Sequence, residues 1–228
     1  MDNSLTRSDQ SSARATKRSQ RAIGWTATRI ATTAGAAGPV AFLATATLVG
    51  LLTPGYDTRT QTLSELALGT FGWLQAANFV AFGLAITCFA VALFRGLGHP
   101  SHIGTALLTL AGVAVAASGY FPTDPPGAAQ TGSGALHNLL FLVAFLALIL
   151  AAPFIAAALR RAPELRGLAP WVAITPVAVI ALLVAFVGFG ADPGDPLHGV
   201  AGLLQRALVA VAFGWLPIAG WQLLTRRA

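Results

Sequence analysis

Charge is what this chain has least of: Asp, Glu, Lys and Arg together make up 10% of its 228 residues, against 55% hydrophobic. A water-soluble globule of that length needs more polar surface to cover its core, so the composition excludes one and describes an integral membrane protein. Cysteine is nearly absent. The single Cys88 rules out an intrachain disulfide, says nothing about redox compartment, and reads as a small core residue in an apolar run. Signature motifs are missing as well: there is no His-Glu-x-x-His and no phosphate-binding glycine loop, and neither Ser64 nor Ser133 stands in a nucleophile-elbow pattern.

The charges that are present lie unevenly. Arg7, Arg14, Lys17, Arg18, Arg21 and Arg29 all precede the first long apolar run, in a segment rich in Ser, Thr and Gln. Without a soluble domain to present them, these bases describe a tail that feels anionic lipid, and nucleic acid is not expected as a partner. Residues 1–29 are therefore expected to be a disordered basic cytoplasmic tail, and 30–228 a membrane domain. A signal peptide is not expected, because the leader and the run from Ala31 to Leu52 are both too long.

Hydrocarbon thickness asks for about 20 apolar residues per helix. Six stretches supply them, roughly 31–52, 71–94, 102–120, 136–159, 169–190 and 199–224. Short connections make neighbours antiparallel, so the expected fold is an all-α membrane protein: a six-transmembrane bundle of three hairpins. With the N-terminus inside, the inner segments hold the six tail bases with Arg95, Arg160, Arg161, Arg166, Arg226 and Arg227, while the outer loops hold only Arg59. Both termini are thus expected to be cytoplasmic in a multi-pass plasma-membrane protein. Asp57, Glu65, Asp124, Asp192 and Asp195 then fall on the outer face with His137 and His198.

Polar chemistry collects in the outer connections. Between the third and fourth spans Asp124 is followed by His137 and Asn138; between the fifth and sixth, Asp192 and Asp195 are followed by His198. The first outer loop carries acids and no histidine, and its Thr62-x-x-Glu65 spacing is that of a capping box, with Leu63, Leu66 and Leu68 expected on one face of a short helix. Asn78, about two turns into the second span, should meet another helix. Arg206 follows His198 by eight residues, about 12 Å along a helix, and at that depth needs a carboxylate or carbonyl oxygens, with Glu65 and Asp124 the expected partners. Gln205 shares nearly the face of His198. Pro39, Pro153, Pro176 and Pro217 lie within spans, where each removes a helix hydrogen bond, and small residues such as Gly35 and Gly112 permit close helix approach. His99 and His102 belong to an inner loop, away from these groups, and Trp73, Trp171, Trp215 and Trp221 read as interface anchors or packing residues.

Leu63-Ser64-Glu65-Leu66 with Gly69, Gly72-Trp73-Leu74 and Asn78-Phe79, then Phe121-Pro122-Thr123-Asp124 with Gly134 and His137-Asn138, then His198-Gly199 and Leu204-Gln205-Arg206 before Gly214-Trp215, resemble the DUF998 family of prokaryotic membrane proteins. The resemblance spans about residues 31–224. It implies a six-span bundle and no established activity.

The residues themselves leave three readings open. One is a hydrolase acting on a lipid or lipid-linked group, with His137, His198, Asp124 and Glu65 as the catalytic set and Arg206, Asn78 and Gln205 binding substrate. His137, His198 and Asp124 have the chemistry of zinc ligands, or of a general base with an orienting acid. The second reading is a binding, proton-relay or transport-associated protein, though most ionisable groups lie at one edge of the membrane rather than its centre. The third gives the charges to assembly alone. In each, the lipid bilayer is the partner.

Overall fold

The computed structural model describes the backbone of residues 3–225, with side chains from Thr26 onward. Seven helices follow one another: α1 (Asn3–Leu52), α2 (Gly72–Gly96), α3 (His102–Ser118), α4 (Gly132–Arg160), α5 (Ala169–Phe189), α6 (Ala201–Phe213) and α7 (Trp215–Thr225), with single 3₁₀ turns at Glu65–Leu68, Arg166–Leu168 and His198–Val200. No strand occurs among the described residues. The tail expected over 1–29 falls mostly on residues whose side chains lie outside the described set, and Thr26–Arg29, assigned to that tail, are helical.

Five helical segments are long and apolar enough to cross a membrane: Thr26–Leu52, Gly72–Gly96, Gly132–Arg160, Arg166–Phe189 and His198–Thr225. Each matches an expected span. The remaining one, His102–Ser118, is apolar but only 17 residues long, about 26 Å at 1.5 Å per residue, and so shorter than a typical hydrocarbon core.

Local chemistry sets the helix ends. The Ser101 hydroxyl accepts from Gly104 N–H at the start of α3, and the Thr131 hydroxyl accepts from Gly134 N–H at the start of α4, each satisfying a donor the first turn leaves open. The last span is two helices because Pro217 has no N–H for the Phe213 carbonyl four residues back, and its ring crowds that oxygen. The chain breaks there, at Gly214.

Successive helices pack side by side, and α7 returns against α1 to close the ring. α2 and α3 meet backbone to backbone, where Gly83 lies on the Gly112 carbonyl and the Ala116 N–H so closely that any Cβ would collide with that backbone. The core between the helices is a run of rings: Phe42 stacks on Phe82 at 4.5 Å, Phe82 meets Phe213 edge-on at 5.0 Å, and Phe213 leads to Phe145 and Phe141. Of the tryptophans, Trp73, Trp171 and Trp221 are exposed, as interface anchors would be, while Trp215 is buried against Phe89. His102 packs edge-on against Phe94, between the ends of α2 and α3.

Candidate functional site

The first long connection, residues 53–71, folds inward over the bundle instead of standing away from it. Its descent is fixed at α6. Gly202 lies directly beneath the Thr58 and Gln61 carbonyls, which leave no room for a Cβ, and Leu203 N–H donates to the Arg59 carbonyl at 3.2 Å. Arg206, one turn on, donates Nη1 to the carbonyls of Thr58, Gln61 and Gly202 at 3.0, 3.1 and 2.9 Å, and Nη2 to the Tyr56 hydroxyl at 2.7 Å. The Tyr56 hydroxyl in turn reaches the Gln61 and Thr62 carbonyls at 2.9 and 2.8 Å. The expected carboxylate partners, Glu65 and Asp124, are therefore replaced by carbonyls and a phenol. A loop turned inward offers a concentrated set of carbonyl oxygens to a planar guanidinium, with no carboxylate to desolvate. Burial pushes the Tyr56 phenol above its ordinary pKa of 10.0, against the opposing pull of Arg206.

Beyond this clasp the chain is held by amides. Leu63 N–H donates to Gln205 Oε1 at 2.6 Å and the Leu63 carbonyl accepts from Gln75 Nε2 at 3.2 Å. Asn78 Nδ2 donates to the Phe42 carbonyl at 3.0 Å and to Gln75 Oε1 at 3.2 Å. Asn78 thus joins α1 to α2, while Gln75 and Gln205 satisfy the backbone of the buried Leu63. Thr62 and Glu65 form the expected reciprocal cap: Glu65 N–H donates to the Thr62 hydroxyl at 3.2 Å, and Thr62 N–H to Glu65 Oε1 at 2.9 Å. The turn is 3₁₀, with three residues per revolution, so Leu63 and Leu66 align and are buried while Leu68, expected on the same face, points away and is exposed.

These restraints deliver Ser64 to the second turn of α4. Ser64 Oγ lies 3.0 Å from His137 Nε2, and His137 Nδ1 lies 2.7 Å from the Phe121 carbonyl and 3.2 Å from that of Ser118. Carbonyls only accept, so Nδ1 carries a proton; in the neutral imidazole Nε2 then accepts from the serine hydroxyl. His137 is 4% exposed and Ser64 7%, and the edge of the imidazole packs against Phe79.

Asp124 is committed to the start of α4. Its two oxygens accept from Thr131 N–H and the Thr131 hydroxyl at 2.9 and 2.8 Å, and its carboxylate lies against Gly134 where a Cβ would collide. His198 is not the counterpart of His137 that the parallel hairpins lead one to expect. It opens a 3₁₀ turn, is half-buried, and its Nδ1 lies 3.3 Å from the Gly190 carbonyl.

A cavity of about 370 Å³ lies over this arrangement, and Glu65, Asp124, His137 and Gln205 all line it, together with Ser64, Asn138 and Asp192. Asn78, His198 and Arg206 are not among its lining residues. A second, apolar slot of about 40 Å³ runs from Ser64, His137 and Gln205 down among Phe42, Phe79, Phe82, Phe145 and Phe213. Of the expected zinc set, Asp124 and His137 share the larger cavity and His198 does not join them. Among the described residues no group of three or more His, Cys, Asp or Glu side chains is disposed to hold a metal ion.

What sequence reasoning missed is the serine. Ser64 stands in no elbow motif, and no local pattern signals its partner, because 73 residues separate it from His137.

The model of a family described as "Protein of unknown function (DUF998)" matches residues 36–222 of the chain. No curated protein and no solved structure matches it.

Proposed function

The chain belongs to the DUF998 family of proteins of unknown function, and from that premise we propose that it is a lipid-directed hydrolase in which His137 activates Ser64. The observation that carries this reading is the hydrogen-bonded chain Ser64 Oγ to His137 Nε2, with Nδ1–H anchored on the Phe121 carbonyl. A nucleophile, a base with its lone pair directed at it, and a third group fixing the base is the arrangement that activates a hydroxyl. It opens onto a cavity. The third group is a carbonyl dipole instead of a carboxylate, so it fixes the tautomer and ring orientation and stabilises the imidazolium less.

The chemistry that follows is acyl transfer. Ser64 Oγ attacks an ester carbonyl carbon while Nε2 takes the hydroxyl proton. As the tetrahedral adduct collapses, the ester C–O bond breaks and Nε2 returns the proton to the leaving alcohol oxygen. Water then attacks acyl-Ser64, giving up a proton to the same nitrogen, and the fatty acid leaves as Ser64 recovers its hydrogen. Gln205 supports the step. Its Oε1 is spent on Leu63 N–H, so its amide NH₂ points the other way, on a wall common to both cavities, where it can donate to a developing oxyanion.

In this reading the six apolar segments all span the plasma membrane with both termini cytoplasmic, the short α3 included, and the cavity faces outward. Glu65, Asn78, Asp124 and Arg206 then serve as scaffold for the loop and helix ends, as their hydrogen bonds suggest. The test is turnover of fatty-acid esters by detergent-purified protein. Turnover that falls at least about a hundredfold in both Ser64→Ala and His137→Gln, with folding intact, supports the proposal; activity retained in Ser64→Ala contradicts it.

A further inference from the structure

Resting on the Ser64–His137 reading, we infer that the acyl group passed to Ser64 is a short one, of about two to four carbons, and that the phenylalanine slot is the subsite that measures it. Ser64, His137, Phe141 and Gln205 line both the slot and the larger chamber, so the hydroxyl and its base stand at the junction of two compartments. An ester whose carbonyl carbon meets Ser64 Oγ there extends one substituent into each. The slot holds about 40 Å³ and the chamber about 370 Å³.

The chemistry decides which substituent goes where. After the first step the alcohol must depart, and water must reach the acyl carbon from the side the alcohol has left. The slot offers neither an exit nor water, because its depth is lined by the buried rings of Phe42, Phe82, Phe145 and Phe213. The chamber, with Thr62, Asn138 and Gln205 on its walls, suits a polar leaving group and incoming water. The acyl tail therefore takes the slot.

Size then sets the length of that tail. One water occupies about 10–15 Å³ on the same measure, so the slot admits about three methyl-sized groups beyond the carbonyl carbon. A longer tail would have to part rings already in contact, with Phe42 stacked on Phe82 at 4.5 Å and Phe82 edge-on to Phe213 at 5.0 Å. Interiors packed in this way resist added methylenes. In a lipid substrate the long chain thus belongs to the alcohol. The bond formed is Ser64 Oγ to the short acyl carbon, the bond broken is that carbon to the alcohol oxygen, and His137 passes the hydroxyl proton to the alcohol. Water then releases the short acid.

The experiment uses the full chain in detergent and the p-nitrophenyl esters of acetic, butyric and octanoic acid, each rate taken above that of Ser64→Ala. We expect kcat/KM for acetate and butyrate to exceed that for octanoate by at least about tenfold. Ala144 and Val209 are buried and line the slot. Ala144→Val, which fills it, should lower butyrate several-fold relative to acetate, and Val209→Ala, which enlarges it, should raise octanoate several-fold relative to acetate. A kcat/KM that is flat or rises through octanoate overturns the acyl assignment and leaves the serine chemistry standing. An unchanged chain-length profile in both folded variants overturns the assignment of the slot. Turnover of none, with Ser64 still labelled by a fluorophosphonate, overturns the short-acyl inference alone; turnover of none and no label brings down the underlying reading with it.

Discussion

Ser64 Oγ and His137 Nε2 are 73 positions apart in the chain and 3.0 Å apart in space. The contact joins the first long connection to the second turn of α4, and it survives only as long as that connection is held in the bundle. Its supports are mostly on α6: Gly202 beneath the loop, Gln205 on Leu63 N–H, and Arg206 on three carbonyls and Tyr56. Stability of the loop and competence of the dyad should therefore fail together.

Arg206→Met leaves two loop carbonyls and the Tyr56 hydroxyl without their donor. The side chain is half-buried and water reaches part of the site, so the expected loss is about 1–3 kcal/mol, measured as a lower Tm in detergent. Arg206→Lys should recover only part of it, because one ammonium cannot reproduce a planar fork serving four oxygens. Full recovery by Lys would show that charge alone matters.

Gly202→Ala places a methyl against the Thr58 and Gln61 carbonyls. Overpacking of this kind costs about 1–3 kcal/mol, and the loop must lift to relieve it. Ester turnover should drop along with Tm. A variant with wild-type Tm and turnover would show that the loop does not sit on α6 as described.

Asn78→Leu separates scaffold from site. The amide joins α1 to α2 through Phe42 and Gln75 and does not line the chamber, so its loss should cost about 0.6–2 kcal/mol of stability with KM for ester substrates unchanged. A raised KM at unchanged stability would return Asn78 to the binding set.

Alkaline pH probes the Tyr56 clasp. Its folded pKa is raised, chiefly by burial, so the folded state holds the phenol proton more tightly than the unfolded chain. That stability is fully present below the unfolded value near 10 and is lost as pH rises through the folded one. Tm should begin to fall above about pH 10, and Tyr56→Phe should flatten that part of the profile. An identical alkaline limb in the variant would assign the loss to another group.

Which parts of this were legible in the sequence follows from the range of each signal. Apolar runs are local, and each of the six falls on helical structure. The Thr62–Glu65 cap was legible for the same reason, since both partners lie within one turn. The orientation of Leu68 was not, because it depends on whether the turn has 3.0 or 3.6 residues. The parallel between His137 and His198 misled, because an acid followed by a histidine does not say whether the histidine begins in a regular helix or in a 3₁₀ turn. Arg206 was placed correctly as needing oxygen partners, and the wrong ones were expected because an inward-folding loop leaves no mark in composition. Ser64 was the largest gap: its neighbour is chosen by packing of α4 against the loop.

The measurement that tests the account most directly is covalent labelling of the purified protein with a fluorophosphonate bearing a long alkyl chain, followed by mass-spectrometric mapping of the adduct. The account predicts one adduct, on the peptide containing Ser64, abolished in Ser64→Ala and strongly slowed in His137→Gln. An unlabelled Ser64 in folded protein, or a label that persists at equal rate without His137, would contradict it.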